Sequence, residues 1–250
     1  MADIPVKVHK SLNDGTIEAV TLVEVLAVDH GKLLRTVAPD AGRNAFDAMD
    51  GTMQVKITER MRSSGRLLLE RYGLDESLDR FASHRSDTAR AWAASIIGAA
   101  PNLTLAERLS RIAVLADDPN PGTREWAWIA VRPYIAAELN LAIKLLTRWT
   151  KDKSANIRRF ATESTRPRGV WCTHIHVLKD NPALCLPLLD SLKADEAKYV
   201  QDSVSNWLND ASKSQPDFVI ELCTGWMLES PTKATERICR RATRGISTRV

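Results

Sequence analysis

Apolar residues recur at helical spacing, three and four apart, in five segments that open alike: ARAWA at 89–93, TREWA at 123–127, IRRFA at 157–161, VQDSV at 200–204 and TERIC at 235–239. Their first positions lie 34, 34, 43 and 35 residues apart, a period that suits one helix pair per repeat and no sheet-based unit. The expected fold is all-α, a helical repeat solenoid. A lone helix pair cannot bury its apolar stripe, so stacked pairs share a continuous core in a curved α-α superhelix and leave one concave face to bind something. Residues 1–80 read as an N-terminal helical cap and 81–250 as the repeats, in a single continuous domain. In the cap, 16–28 and 54–72 read as helices, with Gly31, Pro39, Gly42 and Gly51 punctuating the stretch between them.

Splitting the second helix of each repeat into faces separates core from candidate surface. The core stripes are Trp126, Ile129, Ala130 and Pro133, with Pro133 breaking its helix; then Ile157, Phe160, Ala161 and Ser164; then Val200, Val204, Trp207 or Leu208, and Ala211. The opposite stripes carry Arg124, Glu125, Trp128 and Arg132; Arg158, Arg159, Thr162 and Arg166, before Pro167 ends the helix; and Asp202, Asn206 and Asp210. An indole among charges either fills the groove to a neighbouring repeat or offers a surface for stacking on a base, a sugar or a cation. Trp171, in the Pro- and Gly-constrained loop TRPRGVWCTHIH, is either a hydrophobic plug or a rigid ring presented to a ligand. Aspartate has poor propensity in mid-helix, so two on one stripe invite a reason beyond solvation.

Charge sharpens this picture. The formal net charge is only +4, yet Lys144, Arg148, Lys151, Lys153, Arg158, Arg159, Arg166 and Arg168 face just Asp152 and Glu163. The tail adds Lys233, Arg237, Arg240, Arg241, Arg244 and Arg249 against Glu236. Cation concentrated on a balanced repeat chain points to a polyanion, most simply a nucleic-acid backbone, with ordinary solvated helix faces as the plain alternative. No apolar run approaches the ~20 residues of a membrane span, and the N-terminus shows no signal-peptide core, so a cytoplasmic, bacterial, nucleoid-associated location is expected. Cys172, Cys185, Cys223 and Cys239 form no CxxC and read as small buried apolar residues; His174 and His176 lack a third ligand at suitable spacing. Neither a metal nor a cofactor is expected.

The stretch IRRFATESTRPRGVW, the spacer with NPALCLPLL, then YVQDSVSNWLNDASKSQPDFV and RICRRATR resemble the HEAT-repeat DNA alkylation repair glycosylases of the AlkC/AlkD superfamily, nearest its AlkC branch. The likeness covers about residues 85–245 and is specific in the motifs RPRxxW and SVxNxLNDxSK. It implies a HEAT-like solenoid and a metal-free glycosylase that removes cationic alkylated bases of the 3-methyladenine type from double-stranded DNA. A monofunctional enzyme without lyase activity is expected because no Lys in these motifs has an evident apolar or cationic setting, and a monomer because a capped solenoid is usually self-sufficient. By motif, Asp210 corresponds to the family's catalytic aspartate and Trp171 to an aromatic residue at the lesion; Trp128 is a second candidate ring from its place among charges, not from the motif. Arg158, Arg159 and Arg166 correspond to basic residues on the DNA-facing side; Arg124, Arg132, Arg168, Asn206 and Lys213 complete the expected DNA contacts. The chain departs from the pattern at Trp128, where the family often has an acid, which leaves Glu125 as the substitute; it also has Arg237 where the family tends to place Trp. Alkylation makes the base a good leaving group, so a carboxylate that stabilises the sugar cation and positions water suffices, and cationic neighbours favour its ionised form. The alternative is a non-catalytic HEAT-repeat module that binds bent or branched DNA through the same basic stripe.

Overall fold

The computed structural model describes residues 4–246, so Arg249 of the basic tail lies outside the described residues. Over that range the chain is all-α, with no strand among the described residues. Each of the five recurring patterns begins two residues inside a helix: Asp87–Ala99, Pro121–Ala137, Ala155–Glu163, Lys198–Ser212 and Lys233–Ala242. The partner helices Leu105–Ala116, Leu139–Trp149, Leu186–Ser191 and Pro216–Glu229 alternate with them, giving the helix pairs that the period predicts. None of the described helices is long and apolar enough to cross a membrane.

Local chemistry starts these helices. Ser86, Thr104, Ser154 and Thr232 accept hydrogen bonds from the first free backbone N–H groups of their helices, which satisfies donors the helix itself cannot. A repeated clip then ties the first four of the five recurring helices to their approach loops. The fourth residue of the helix donates to two loop carbonyls: Arg90 to His84 and Arg85, Arg124 to Asp118 and Pro119, Arg158 to Asp152 and Lys153, Gln201 to Asp195 and Glu196. Two of these arginines also reach the next loop, Arg90 to Asp118 at 2.6 and 3.0 Å and Arg158 to Asp195 at 2.7 and 3.1 Å. These fork-to-fork pairs fix geometry as well as charge.

The chain divides into two compact units, Met1–Val131 and Arg132–Val250. In the first, Ile57–Tyr72 packs along Asp87–Ala99, and Gly65 permits the approach: a Cβ there would sit 2.6 Å from the Ser95 carbonyl carbon. The expected helix over 54–72 is present, but in 16–28 only Leu22–Ala27 is helical, because Thr21 caps it and the chain before it is extended. The stretch between holds two further helices, His30–Val37 and Arg43–Gly51. Beneath them His30 is 1% exposed; its Nδ1 accepts from the Trp92 indole at 3.2 Å and lies 3.1 Å from Ser64 Oγ.

In the second unit Lys198–Ser212 packs against Ala155–Glu163 and Lys233–Ala242. Val200, Val204, Trp207, Leu208 and Ala211 are all fully buried, so both alternatives at the third stripe position belong to the core. Pro133 does not break its helix, which runs on to Ala137, and it is exposed rather than in the core. The buried neighbours Ile129, Val131 and Ile135 hold the helix against a proline cost of about 3 kcal/mol. Cys172 is half-buried, whereas the other three cysteines are buried as expected.

Candidate DNA-processing site

Asp210 lies near the end of Lys198–Ser212, and the face assigned to solvent is here covered: the residue is 4% exposed. The cover is cationic. Oδ2 accepts from Arg166 through Nε at 2.9 Å and Nη2 at 2.8 Å, and Oδ1 accepts from Lys213 Nζ at 3.0 Å. Arg168 donates to the Asp210 carbonyl at 3.2 Å and to Ser214 Oγ at 2.6 Å. Three cations expected to contact DNA therefore converge on the expected catalytic acid.

Glu163, in sequence one of two acids in a basic stretch, is central in the fold. It is 4% exposed and accepts from Arg166 at 2.7 Å and Ser203 at 2.7 Å, with Arg159 at 3.6 Å. Burial pushes its carboxyl up, but the Arg159 and Arg166 guanidinium groups and the two hydrogen bonds outweigh this and hold it below the usual carboxylate range. Arg166, in turn, would lose basicity on burial but is held above its ordinary value by Glu163 and Asp210. The signal was its spacing, four residues after Arg159 and three before Arg166, which puts all three on one helical face. The result is a chain of opposite charges, Arg159, Glu163, Arg166, Asp210 and Lys213.

The loop after Arg166 is held from below by Arg132, which is 2% exposed and donates to the carbonyls of Ser164 at 2.8 Å, Arg166 at 2.6 Å and Thr173 at 3.3 Å. This corrects the expected free stripe: Arg132 supports the loop from inside, because three loop carbonyls turned inward need donors. Burial depresses its basicity despite nearby Cys172. Gly169 passes close under it, and a Cβ there would meet Cys172 Sγ at 2.2 Å. Two residues on, Trp171 is 46% exposed and adopts φ +62°, a left-handed conformation that costs a bulky residue about 1–2 kcal/mol. The ring is therefore presented on a constrained, strained loop, the state expected of a functional position.

Other expected contacts sit elsewhere. Arg158 belongs to the repeat clip, Arg159 lies 4.5 Å over the Tyr199 ring, and Asn206 accepts from Arg244 at 3.1 Å. Arg237, at the family's Trp position, donates to Asp202 at 2.7 Å. In the first unit Arg124 also serves the clip, and Trp128 is 3% exposed with its indole donating to Glu125 at 2.9 Å. Of the two readings open for Trp128, its burial agrees with the packed indole rather than a ring offered to a ligand: in stacked repeats the side of a helix away from one core meets further protein.

Comparison with known proteins places one family match on this region. The model of the family described as DNA alkylation repair enzyme matches residues 123–224, which include Glu163, Trp171 and Asp210. The protein YhaZ of Bacillus subtilis (strain 168), described as uncharacterized, is 39% identical over 97 residues, covering 39% of this chain and 27% of its own length. The alkylpurine DNA glycosylase AlkC of Pseudomonas fluorescens, solved bound to DNA containing an abasic site analog, superposes with a TM-score of 0.70 at 22% identity. That match takes in 96% of this chain and 62% of AlkC. AlkD2 from Streptococcus mutans aligns with a TM-score of 0.53 at 21% identity over 85% of this chain and 98% of its own. The chain therefore spans about a quarter of YhaZ and under two thirds of AlkC, and it shares the helical repeat fold of AlkC and AlkD2.

Proposed function

We propose that this chain, whose residues 123–224 match the DNA alkylation repair enzyme family, is a monofunctional DNA glycosylase that hydrolyses the N-glycosidic bond of cationic alkylated bases in double-stranded DNA. The observation that carries the reading is one family-matched segment holding a carboxylate clamped by Arg166 and Lys213 beside the loop that presents Trp171.

The chemistry follows from the substrate. Alkylation gives the base a positive charge and makes it a good leaving group, so the bond breaks toward an oxocarbenium sugar. Asp210 faces that developing cation and holds the attacking water, and its effect is large where bulk water is excluded. Lys213, with its side chain 54% exposed, turns toward a DNA phosphate on binding and frees Oδ1, while Arg166 keeps Oδ2 in place. Trp171 adds cation–π attraction of about 1–2 kcal/mol to the lesion or the sugar cation. Glu125 is the second carboxylate of the proposal, with Trp128 donating to it; Arg124, Arg132, Arg158, Arg159, Arg168 and Asn206 act through the scaffold contacts described above. A Schiff base needs an uncharged lysine amine, and Lys213 is instead tied to a carboxylate, which supports hydrolysis without lyase chemistry.

One observation favours a second reading: both oxygens of Asp210 are already engaged and its side chain is only 5% exposed, as in a structural ion pair. On that reading the chain binds bent or branched DNA without cutting the glycosidic bond. Release of free bases from methylated duplex DNA separates the two when measured for wild type and Asp210→Asn, with DNA binding followed at two salt concentrations. The glycosylase reading expects release by wild type, a loss of about 100-fold or more in the variant, and salt-sensitive binding by both. Binding with no release by the wild type refutes it.

A further inference from the structure

The helices Pro216–Glu229 and Lys233–Ala242 enclose a cavity of about 450 Å³ open to solvent. Its wall contains two thiols, Cys223 and Cys239, one from each helix, 6% and 7% exposed. Cys239 Sγ donates to the Cys223 backbone carbonyl at 3.7 Å, which brings the two residues together across the helix pair. The neighbouring thiol pushes Cys223 up, with burial adding to it, and brings Cys239 down against the effect of burial. The remaining wall is mixed, with Ile220, Met227 and Leu228 apolar and Thr224, Glu236, Arg240 and Thr243 polar or charged. A small molecule with apolar arms and charged ends fits such a lining, and the thiols stand at its back.

We propose that Cys223 and Cys239 form a dithiol site that low-molecular-weight disulfides oxidise to an intramolecular disulfide, tying the last two helices together. The Cys239 thiolate attacks one sulfur of the small disulfide and expels a first small thiolate, leaving a mixed disulfide on Cys239. Cys223 then loses its proton and attacks the Cys239 sulfur; the second small thiolate leaves. Two protein thiols are oxidised, the small disulfide is reduced to two thiols, and the protons pass to the leaving groups. The tie matters to the neighbouring helix: Lys233–Ala242 holds Asp202 through Arg237 at 2.7 Å and Arg241 at 3.2 Å, and the Ala242 carbonyl accepts from Asn209, the residue before Asp210, at 3.1 Å. The proposal stands apart from the glycosylase reading.

The test uses the full chain carrying Cys172→Ser, so that the half-buried third thiol is silent; burial pushes Cys185 up to about 12 and keeps it unreactive. After exposure to oxidised glutathione, intact mass should fall by about 2 Da and peptide mapping should join Cys223 to Cys239. With Cys223→Ser added, the reaction should stop at a glutathione adduct on Cys239, and with Cys239→Ser added Cys223 should stay unmodified. Full alkylation of both thiols by iodoacetamide after oxidant treatment overturns the proposal, as does an adduct confined to Cys223. If either serine variant fails to fold, the mapped linkage in the Cys172→Ser chain decides alone.

Discussion

His30 makes the stability of the first unit depend on acidity in a calculable way. The Trp92 indole can only donate, so Nδ1 must accept and the ring must carry its single proton on Nε2. Nε2 is itself buried, with no hydrogen-bond partner among the described residues. A second proton would set two N–H groups against each other inside the core. Burial first, and the Arg60 cation second, push the His30 pKa down to about 3 from an ordinary 6.5. Because the folded value is depressed, the native state gains from neutral His30 fully above pH 6.5, and this gain is lost as pH falls from 6.5 toward 3. At about 1.36 kcal/mol per pH unit, lowering the pH from 7 to 5 removes about 2 kcal/mol through this residue alone. Urea unfolding of wild type and His30→Gln at both pH values isolates it, since the carboxylates common to both chains cancel in the difference. Glutamine keeps an acceptor for Trp92 but does not titrate, so the stability gap between the chains should shrink by about 2 kcal/mol at pH 5. An equal pH dependence in the two proteins would refute the assignment of the ring's state.

Further predictions follow from single contacts. Gly65→Ala should cost about 1–3 kcal/mol in urea unfolding, because its Cβ meets the Ser95 backbone at 2.6 Å; an unchanged midpoint contradicts the close packing of Ile57–Tyr72 on Asp87–Ala99. Arg132→Lys replaces a fork serving three carbonyls by one ammonium and should destabilise by about 2–4 kcal/mol while lowering base release, both through a loosened Trp171 loop. Trp171→Gly relieves the positive φ, so melting should be unchanged or raised, by up to about 1–2 kcal/mol, while base release falls; a large loss of stability would mean that the ring is a plug. Glu163→Gln should weaken the native state most above the ordinary carboxylate range and least in acid, where wild-type Glu163 also becomes neutral; equal losses at pH 7 and 3 would show that its charge does not matter.

Legibility varied with the range of the interaction that fixes each feature. The five helix starts and their core stripes were readable because helical periodicity and the helix-pair period are properties of the chain itself: Ile157, Phe160, Val200 and Val204 are buried as their spacing requires. What periodicity does not supply is the partner on the far side of a helix. Trp128, Arg132 and Asp210 all lie on stripes assigned to solvent, and all are 4% exposed or less. For Asp210 and Arg132 the cover is polar, and pairing across 44 or 32 residues leaves no local trace in the sequence. Glu163 was missed for a different reason, since its neighbours made it look like a lone acid diluting a basic face. The helices between 30 and 51 escaped because their glycines read as punctuation, whereas Gly31 and Gly51 lie within helices.

The clip that joins the first four repeat helices to their approach loops is strictly local, made by a residue and carbonyls five or six positions before it. Register is therefore reset at each of these helices, and a length change between two of them need not propagate to either side. The one interval of 43 residues, against 34 or 35 elsewhere, contains the segment from Arg166 to Ile175 that carries Trp171. Surplus chain in this architecture is thus a place to store chemistry: the scaffold tolerates rewriting there, and exchange of that segment is a natural route to altering what the loop recognises while the helices remain as they are.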